Sequence, residues 1–303
     1  MRQFLPTPLL QLLLLVVSMV ASLLLTSTIA GALAPVLGFP SMLAQAGAEA
    51  QSLPYMRYLL FVQSVGLFLL PPLVAALLVA KKRTCAFLGV ARRPLRLNVL
   101  ITLAAVVVAA PFVGFVASLN AQLPLPEWAV EMDHSLTDMS NRMLWTPDAG
   151  TFLLNLLIVA ILPAVGEELL FRGYLLRVLG YYIKNRHAAI IVTAVIFSTF
   201  HLQFEGFAPR LLLGVMLGYL LRWSGSLWLP IAAHFANNAV VVCTYFYKAH
   251  SGLAMDAQAL EVAIPGGAWS ILASALALAW LLRKVRQVER FHRKNKAHFS
   301  VSC

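Results

Sequence analysis

At 303 residues, 60% of them hydrophobic and only 12% charged, with a mean hydropathy of +0.81, this chain is too apolar for a water-soluble fold; soluble domains hold about 45–50% apolar and about 25% charged residues. Its net charge of +11 reads as an orientation signal and as attraction to the anionic headgroups of membrane lipids, so a nucleic-acid partner is not expected. Cys85, Cys243 and Cys303 have no CxxC spacing and suggest neither a disulfide framework nor a thiolate zinc site.

Eight apolar runs follow one another, which predicts an all-α polytopic membrane protein of about eight transmembrane helices in one bundle, with residues 1–303 forming a single domain. The first, 8–34, ends near "AGALAP", a small-residue stretch that a signal peptidase would accept. At 27 residues it exceeds a typical h-region of about 7–15 residues, so an anchor is expected. The second, 57–80, contains Pro71–Pro72 and is expected to kink there. The third, 98–118, leads into an acidic connection, 119–150, holding Glu127, Glu131, Asp133, Asp138 and Asp148 and a short amphipathic helix near "PEWAVEM". His134 in it has no partner at motif spacing and reads as a surface residue. The fourth run is 151–171. The fifth and sixth, 188–204 and 209–222, are short enough to suggest tilt or partial burial, and Gly214 and Gly218 in the sixth form a GxxxG contact. Trp223 and Trp228 flank the next turn as interface anchors. The seventh, 227–247, and eighth, 263–282, are followed by a basic tail, 283–303.

Placing both termini in the cytoplasm puts 19 of the 23 lysines and arginines inside. Only Arg57, Arg142, Arg210 and Lys248 are left outside, as the positive-inside rule favours for a multi-pass protein of the cytoplasmic membrane.

Against this background "PAVGEELLFRG" is out of place. A charged residue at a helix centre costs about 2.5–3.5 kcal/mol on insertion scales, and Glu167, Glu168 and Arg172 lie together. Glu168 and Arg172, four apart, share a helix face and can pair; Glu167, turned about 100° away, is left over. Downstream, "FSTFH" carries His201 and "HFANN" carries His234 and Asn238 on one face. If the helices are continuous, Glu167 and His201 lie at similar heights, roughly 22–26 Å above the 184–187 turn, although Pro163 could break the first. A carboxylate in apolar surroundings is a better proton acceptor, and with an imidazole it can deprotonate a shared water. A second imidazole and an amide can donate to an oxyanion. Such a set suits hydrolysis of an acyl bond.

These residues resemble a known family. EExxxR (Glu167, Glu168, Arg172), FxxxH (Phe197, His201) and HxxxN (His234, Asn238), in this order on successive apolar segments, are similar to the CAAX-protease and bacteriocin-processing family of intramembrane endopeptidases, also called the Abi family. The resemblance covers about residues 163–240, which would be the catalytic core. It implies that Glu167 and His201 activate water, that His234 and Asn238 stabilise the oxyanion, and that Glu168, Arg172 and Phe197 shape the site. It implies a peptide or lipidated-protein substrate and a cavity open to the cytoplasm.

Three other readings compete. Glu167, His201 and His234 are fair zinc ligands, but the chain lacks HExxH and Asn238 is a poor ligand, so no metal cofactor is expected. A proton- or ion-coupled transporter would also use buried Glu, His and Arg, yet no inverted repeat is visible. A non-catalytic immunity scaffold would not need the full motif set.

Overall fold

The computed structural model describes residues 7–39, 52–252 and 267–299. Among these residues every regular element is helical, as hydrocarbon requires: a helix satisfies its backbone groups within one segment, without water. The main helices are α1 (Pro8–Leu33), α2 (Leu53–Leu88), α3 (Arg96–Val108), α4 (Ala110–Asn120), α5 (Glu127–Leu144), α6 (Ala149–Tyr182), α7 (Arg186–Thr199), α8 (Phe207–Ser224), α9 (Trp228–His250) and α10 (Gly267–Phe299).

Each of the eight apolar runs is helical over most of its described residues, but the expected count of eight spans is not reached among the described residues. Five helices (α1, α2, α6, α9, α10) are long and apolar enough to cross a bilayer, and α3 with α4, bent by 45°, make a sixth if taken as one span. The shortfall lies in α7 and α8. With 14 residues, α7 is about 21 Å long, short of a hydrocarbon core of about 30 Å. It packs against α8 as a hairpin, and GxxxG is the reason the two approach: a Cβ on Gly214 would lie 2.9 Å from the Ala194 Cβ, and one on Gly218 2.7 Å from Ile190.

The bundle is apolar outside and partly polar within. On α1, Leu9, Leu13, Val16, Val17 and Val20 are exposed, whereas Gln11, Ser18 and Ser22 are buried. The largest apolar cluster joins α1, α2 and α6 through Leu15, Ala76, Val79, Leu170, Phe171 and Tyr174, and the Tyr174 hydroxyl donates to the Gln11 carbonyl at 2.9 Å. Leu169, Leu170 and Phe171 of the EELLFR segment are part of this core.

Prolines lie within α2, α4 and α6. Pro71–Pro72 do not divide α2; a π-helical turn, Ser64–Leu69, precedes them and the helix runs on. Pro163 likewise follows a π turn, Leu156–Ile161, within an unbroken α6. The sharp bend falls between α3 and α4, where Pro111 has no N–H for the Val107 carbonyl four residues back. Two of the charges counted in the positive-inside asymmetry are buried in the bundle: Arg172, and Arg57, which donates to the Asn155 Oδ1 (2.9 Å) and the Met143 carbonyl (2.5 Å). Removing one residue from each side leaves the basic asymmetry intact.

The amphipathic helix of the acidic connection, α5, is longer than expected at 18 residues; His134 is exposed on it and Asp133 is buried. The segment expected as a basic tail continues α10 as far as Phe299, with Val285 and Glu289 buried. Trp228 is half-exposed and donates through Nε1 to the Val90 carbonyl at 2.8 Å, and Trp223 stacks on Tyr219. Cys85 and Cys243 are free and exposed, and Cys303 lies outside the described residues.

Candidate active site

The EELLFRG segment forms a second π turn in α6, Glu168–Leu175, and Glu167 stands at its start. Wide turns of this kind occur mostly as single turns at functional positions. Gly166 lets α6 approach α2 here, since a Cβ would lie 3.0 Å from the Phe68 Cβ.

The expected Glu168–Arg172 pair is present, with Arg172 Nη1 donating to Glu168 Oε1 at 2.6 Å and both side chains almost fully buried. It is more than a brace within one helix. The same Oε1 lies 2.9 Å from His234 Nδ1 on α9, and Arg172 Nη2 donates to the Gly214 carbonyl of α8 at 3.0 Å. The guanidinium also lies over the Phe197 ring of α7, 4.5 Å from its centroid. One buried ion pair thus joins four helices. Phe197 sits at the centre, edge-on to both His201 and His234 with ring centroids 5.0 and 5.8 Å away.

Glu167 faces the two imidazoles. Its Oε2 lies 3.9 Å from Nε2 of His201 and 3.9 Å from Nε2 of His234, and this oxygen is buried without a hydrogen-bond partner. The tautomers follow from the other ring nitrogens. His201 Nδ1 lies 3.0 Å from the Phe197 carbonyl, which only accepts, so Nδ1 carries the hydrogen. His234 Nδ1 faces the Glu168 carboxylate and carries it for the same reason. In neutral rings both Nε2 atoms are then acceptors, and three acceptors converge on one point. A water oxygen about 2.8 Å from two groups 3.9 Å apart sees them at about 90°, near its own preferred geometry. Two ligands of a tetrahedral zinc at about 2.0–2.1 Å are only about 3.4 Å apart, so the zinc set Glu167, His201 and His234 would have to close in. Among the described residues no group of three or more His, Cys, Asp or Glu has metal-holding spacing.

Asn238 lies one turn beyond His234 on α9. Its Nδ2 donates to the Val159 carbonyl at 3.3 Å and its Oδ1 accepts from Asn237. Val159 is the residue that Pro163 leaves without its i+4 N–H, so the proline of α6 and the amide of α9 complement each other. These bonds point Asn238 along α6 rather than at the Glu167 oxygen.

His201 lies just beyond α7, on the link 200–206 to α8, and the chain holds this link by polar contacts absent from the expectations. Asp133 of α5 is buried and accepts from the Phe204 N–H (2.9 Å) and the Glu205 N–H (2.7 Å). The Asn120 amide donates to the Phe204 carbonyl and accepts from the Ala208 N–H, and Ser198 donates to the Phe207 carbonyl. The clamp fixes a strained turn, because Leu202 has φ +53° without being glycine. Arg210 braces the link through Gln203, donating to its Oε1 at 2.8 Å and its carbonyl at 2.7 Å. Asp133 was legible in part, since it shares the buried face of α5 with Ala129 and Asn141, at i, i+4 and i+12.

A cavity of about 610 Å³ opens between α3–α4, α8, α9 and α10. Its walls are largely aliphatic, and Arg210, Asn237 and Tyr219 are the residues in its lining that carry polar side-chain groups.

Three comparisons bear on this geometry. Residues 149–240, just under a third of the chain, match the family model "Type II CAAX prenyl endopeptidase Rce1-like". A Bacillus subtilis (strain 168) protein, "Uncharacterized protein YpbD", is 28% identical over 93 residues, which are 29% of this chain and 44% of that protein, so the match spans less than half of the relative. No solved structure matches. The matched segment holds all three motifs together with the helices α6 to α9 that bring Glu167, His201 and His234 together. The chain is a membrane protein whose segment 149–240 is similar to the Rce1-like, CAAX protease-like family of peptidases.

Proposed function

We propose that this protein is an intramembrane endopeptidase that hydrolyses a peptide bond of a membrane-associated or lipidated protein or peptide. The observation that carries the reading is the single unpartnered oxygen of Glu167 set 3.9 Å from two Nε2 atoms. Water held between them gives one proton to Glu167, oriented by His201, while its oxygen attacks the carbonyl carbon. The oxyanion then needs donors. His234, oriented by the Glu168 carboxylate at Nδ1, supplies one when it carries a proton at Nε2, and Asn238 supplies another by turning its amide from Val159. Collapse breaks the C–N bond, with the nitrogen taking the proton that Glu167 or His234 holds. Arg172 holds the Glu168 carboxylate in place.

The aliphatic cavity with Arg210 and Asn237 in its lining suits an apolar substrate segment whose polar end reaches the site. Both termini and the opening of the site face the cytoplasm in this reading, as the basic asymmetry favours, and no metal takes part. Purified protein in lipid vesicles, given a library of lipidated and unlipidated peptides, should produce new C-termini detectable by mass spectrometry. Cleavage should persist in a strong chelator. A transporter or an idle scaffold would yield no new termini, and cleavage lost with stoichiometric zinc and restored on its return would replace the metal-free route.

A further inference from the structure

At the end of the bundle where α7 begins and α8 ends, five arginines surround one cavity of about 240 Å³. Arg186 comes from α7, Arg222 with Trp223 from the last turns of α8, and Arg286, Arg290 and Arg293 from α10. The lone carboxylate in the lining, Glu289, is buried and already engaged: Oε2 accepts from Arg92 at 3.0 Å and Oε1 from the Asn98 amide at 3.0 Å. Arg293 uses one nitrogen on the Trp223 carbonyl at 2.7 Å. Among the described residues no carboxylate pairs with Arg186, Arg222, Arg286 or Arg290.

An orientation signal alone requires basic residues on one side of the membrane, not their convergence from three elements on one concavity. Like charges so placed repel, and an anion relieves the repulsion. Arg186 also stands in the first turn of α7, where the helix dipole is positive. Arginine rather than lysine on every wall suits planar, bidentate binding of phosphate oxygens. The pocket adjoins the aromatic Trp223 and follows the apolar part of α10, which puts it at headgroup depth; basic pockets between helices at that depth hold anionic headgroups.

We propose that this pocket binds the phosphate headgroup of an anionic phospholipid, which ties α10 to the α7–α8 hairpin. The inference does not depend on the hydrolase reading. The test uses the full chain in neutral detergent, with phosphatidylglycerol, phosphatidylcholine and inorganic phosphate as separate probes, read by native mass spectrometry and by thermal unfolding. Phosphatidylglycerol should be retained at one site and raise the melting temperature, while phosphatidylcholine does neither. The variant R286Q/R290Q should cut retention by roughly tenfold or more and remove the thermal shift. If that variant fails to fold, R222Q, on a different helix, should weaken retention in the same direction. Equal retention of phosphatidylcholine, or full retention by both variants, would overturn the proposal. An equal thermal shift from inorganic phosphate alone would replace the lipid with a soluble phosphate ligand.

Discussion

Replacing Glu168 by Gln probes both ends of the buried pair, because the substitution keeps the shape and removes the charge. Glu168 and Arg172 are almost fully buried side chains 2.6 Å apart. In Glu168→Gln the guanidinium keeps the Gly214 carbonyl and the Phe197 ring but loses its counter-charge. Breaking a buried pair from one side costs about 3–5 kcal/mol, and the retained amide oxygen places this case near the lower figure. At roughly 2–4 °C per kcal/mol for large domains, the melting temperature in detergent should fall by about 6–12 °C. Removing both charges in E168Q/R172M leaves no orphan, and stability should return to within about 1–2 kcal/mol of wild type. Activity should not return with it. The neutral amide no longer holds His234 in the tautomer that its Nδ1 contact with the carboxylate sets, and losing the carboxylate that orients a catalytic histidine costs up to about 10⁴-fold in kcat. Thermal unfolding and turnover on all three proteins separate the effects. A Glu168→Gln protein with unchanged melting temperature and turnover, or a double variant less stable than the single one, would refute the reasoning.

Three further outcomes are expected. In Asp133→Ala, the Phe204 and Glu205 amides lose acceptors at 2.9 and 2.7 Å, bonds to a charged group worth about 1.5–3 kcal/mol each. Hydrogen exchange at these amides and carbethoxylation of His201 should both accelerate while His234 keeps its protection; unchanged His201 reactivity would remove Asp133 from the positioning of the site. The Thr151 N–H, 2.7 Å away, holds the Asp148 carboxylate below its ordinary range. A lowered folded value means stability present above the unfolded value and lost as pH falls through the folded one. Wild type should therefore exceed Asp148→Ala in melting temperature near neutrality, the gap closing below about pH 4; a gap independent of pH would contradict this. In a background with Cys85, Cys243 and Cys303 replaced by Ser, an impermeant thiol reagent applied to intact cells should label Ser140→Cys and miss Asn185→Cys; the reverse would invert the orientation.

The helices were legible because eight apolar runs leave the backbone no other way to satisfy itself in hydrocarbon. The number of spans was not, because hydropathy does not say that α7 stops at Thr199 after 14 residues and folds back on α8. Pairing of Glu168 with Arg172 followed from spacing alone. The contact of Glu168 with His234 depends on how α6 and α9 pack, which no local pattern encodes. Levelling of Glu167 with His201 held because the π turn before Pro163 keeps α6 continuous. Asp133 looked like one more charge in an acidic connection; its place on the face of Ala129 was legible, but its partners show only once α5 lies over the 200–206 link. Arg57 looked like a loop charge because its acceptors, Asn155 and the Met143 carbonyl, are distant in sequence.

The most direct measurement follows the oxygen and the base together. Wild-type protein and Glu167→Gln, matched for melting temperature, are incubated in ¹⁸O-labelled water with a peptide that the wild type cleaves. Water activation by Glu167 predicts one labelled oxygen in the new C-terminal carboxylate of the wild-type product, and turnover reduced by at least about 10²–10⁴-fold in the variant. Near-normal labelling and turnover by a folded Glu167→Gln protein would contradict that role.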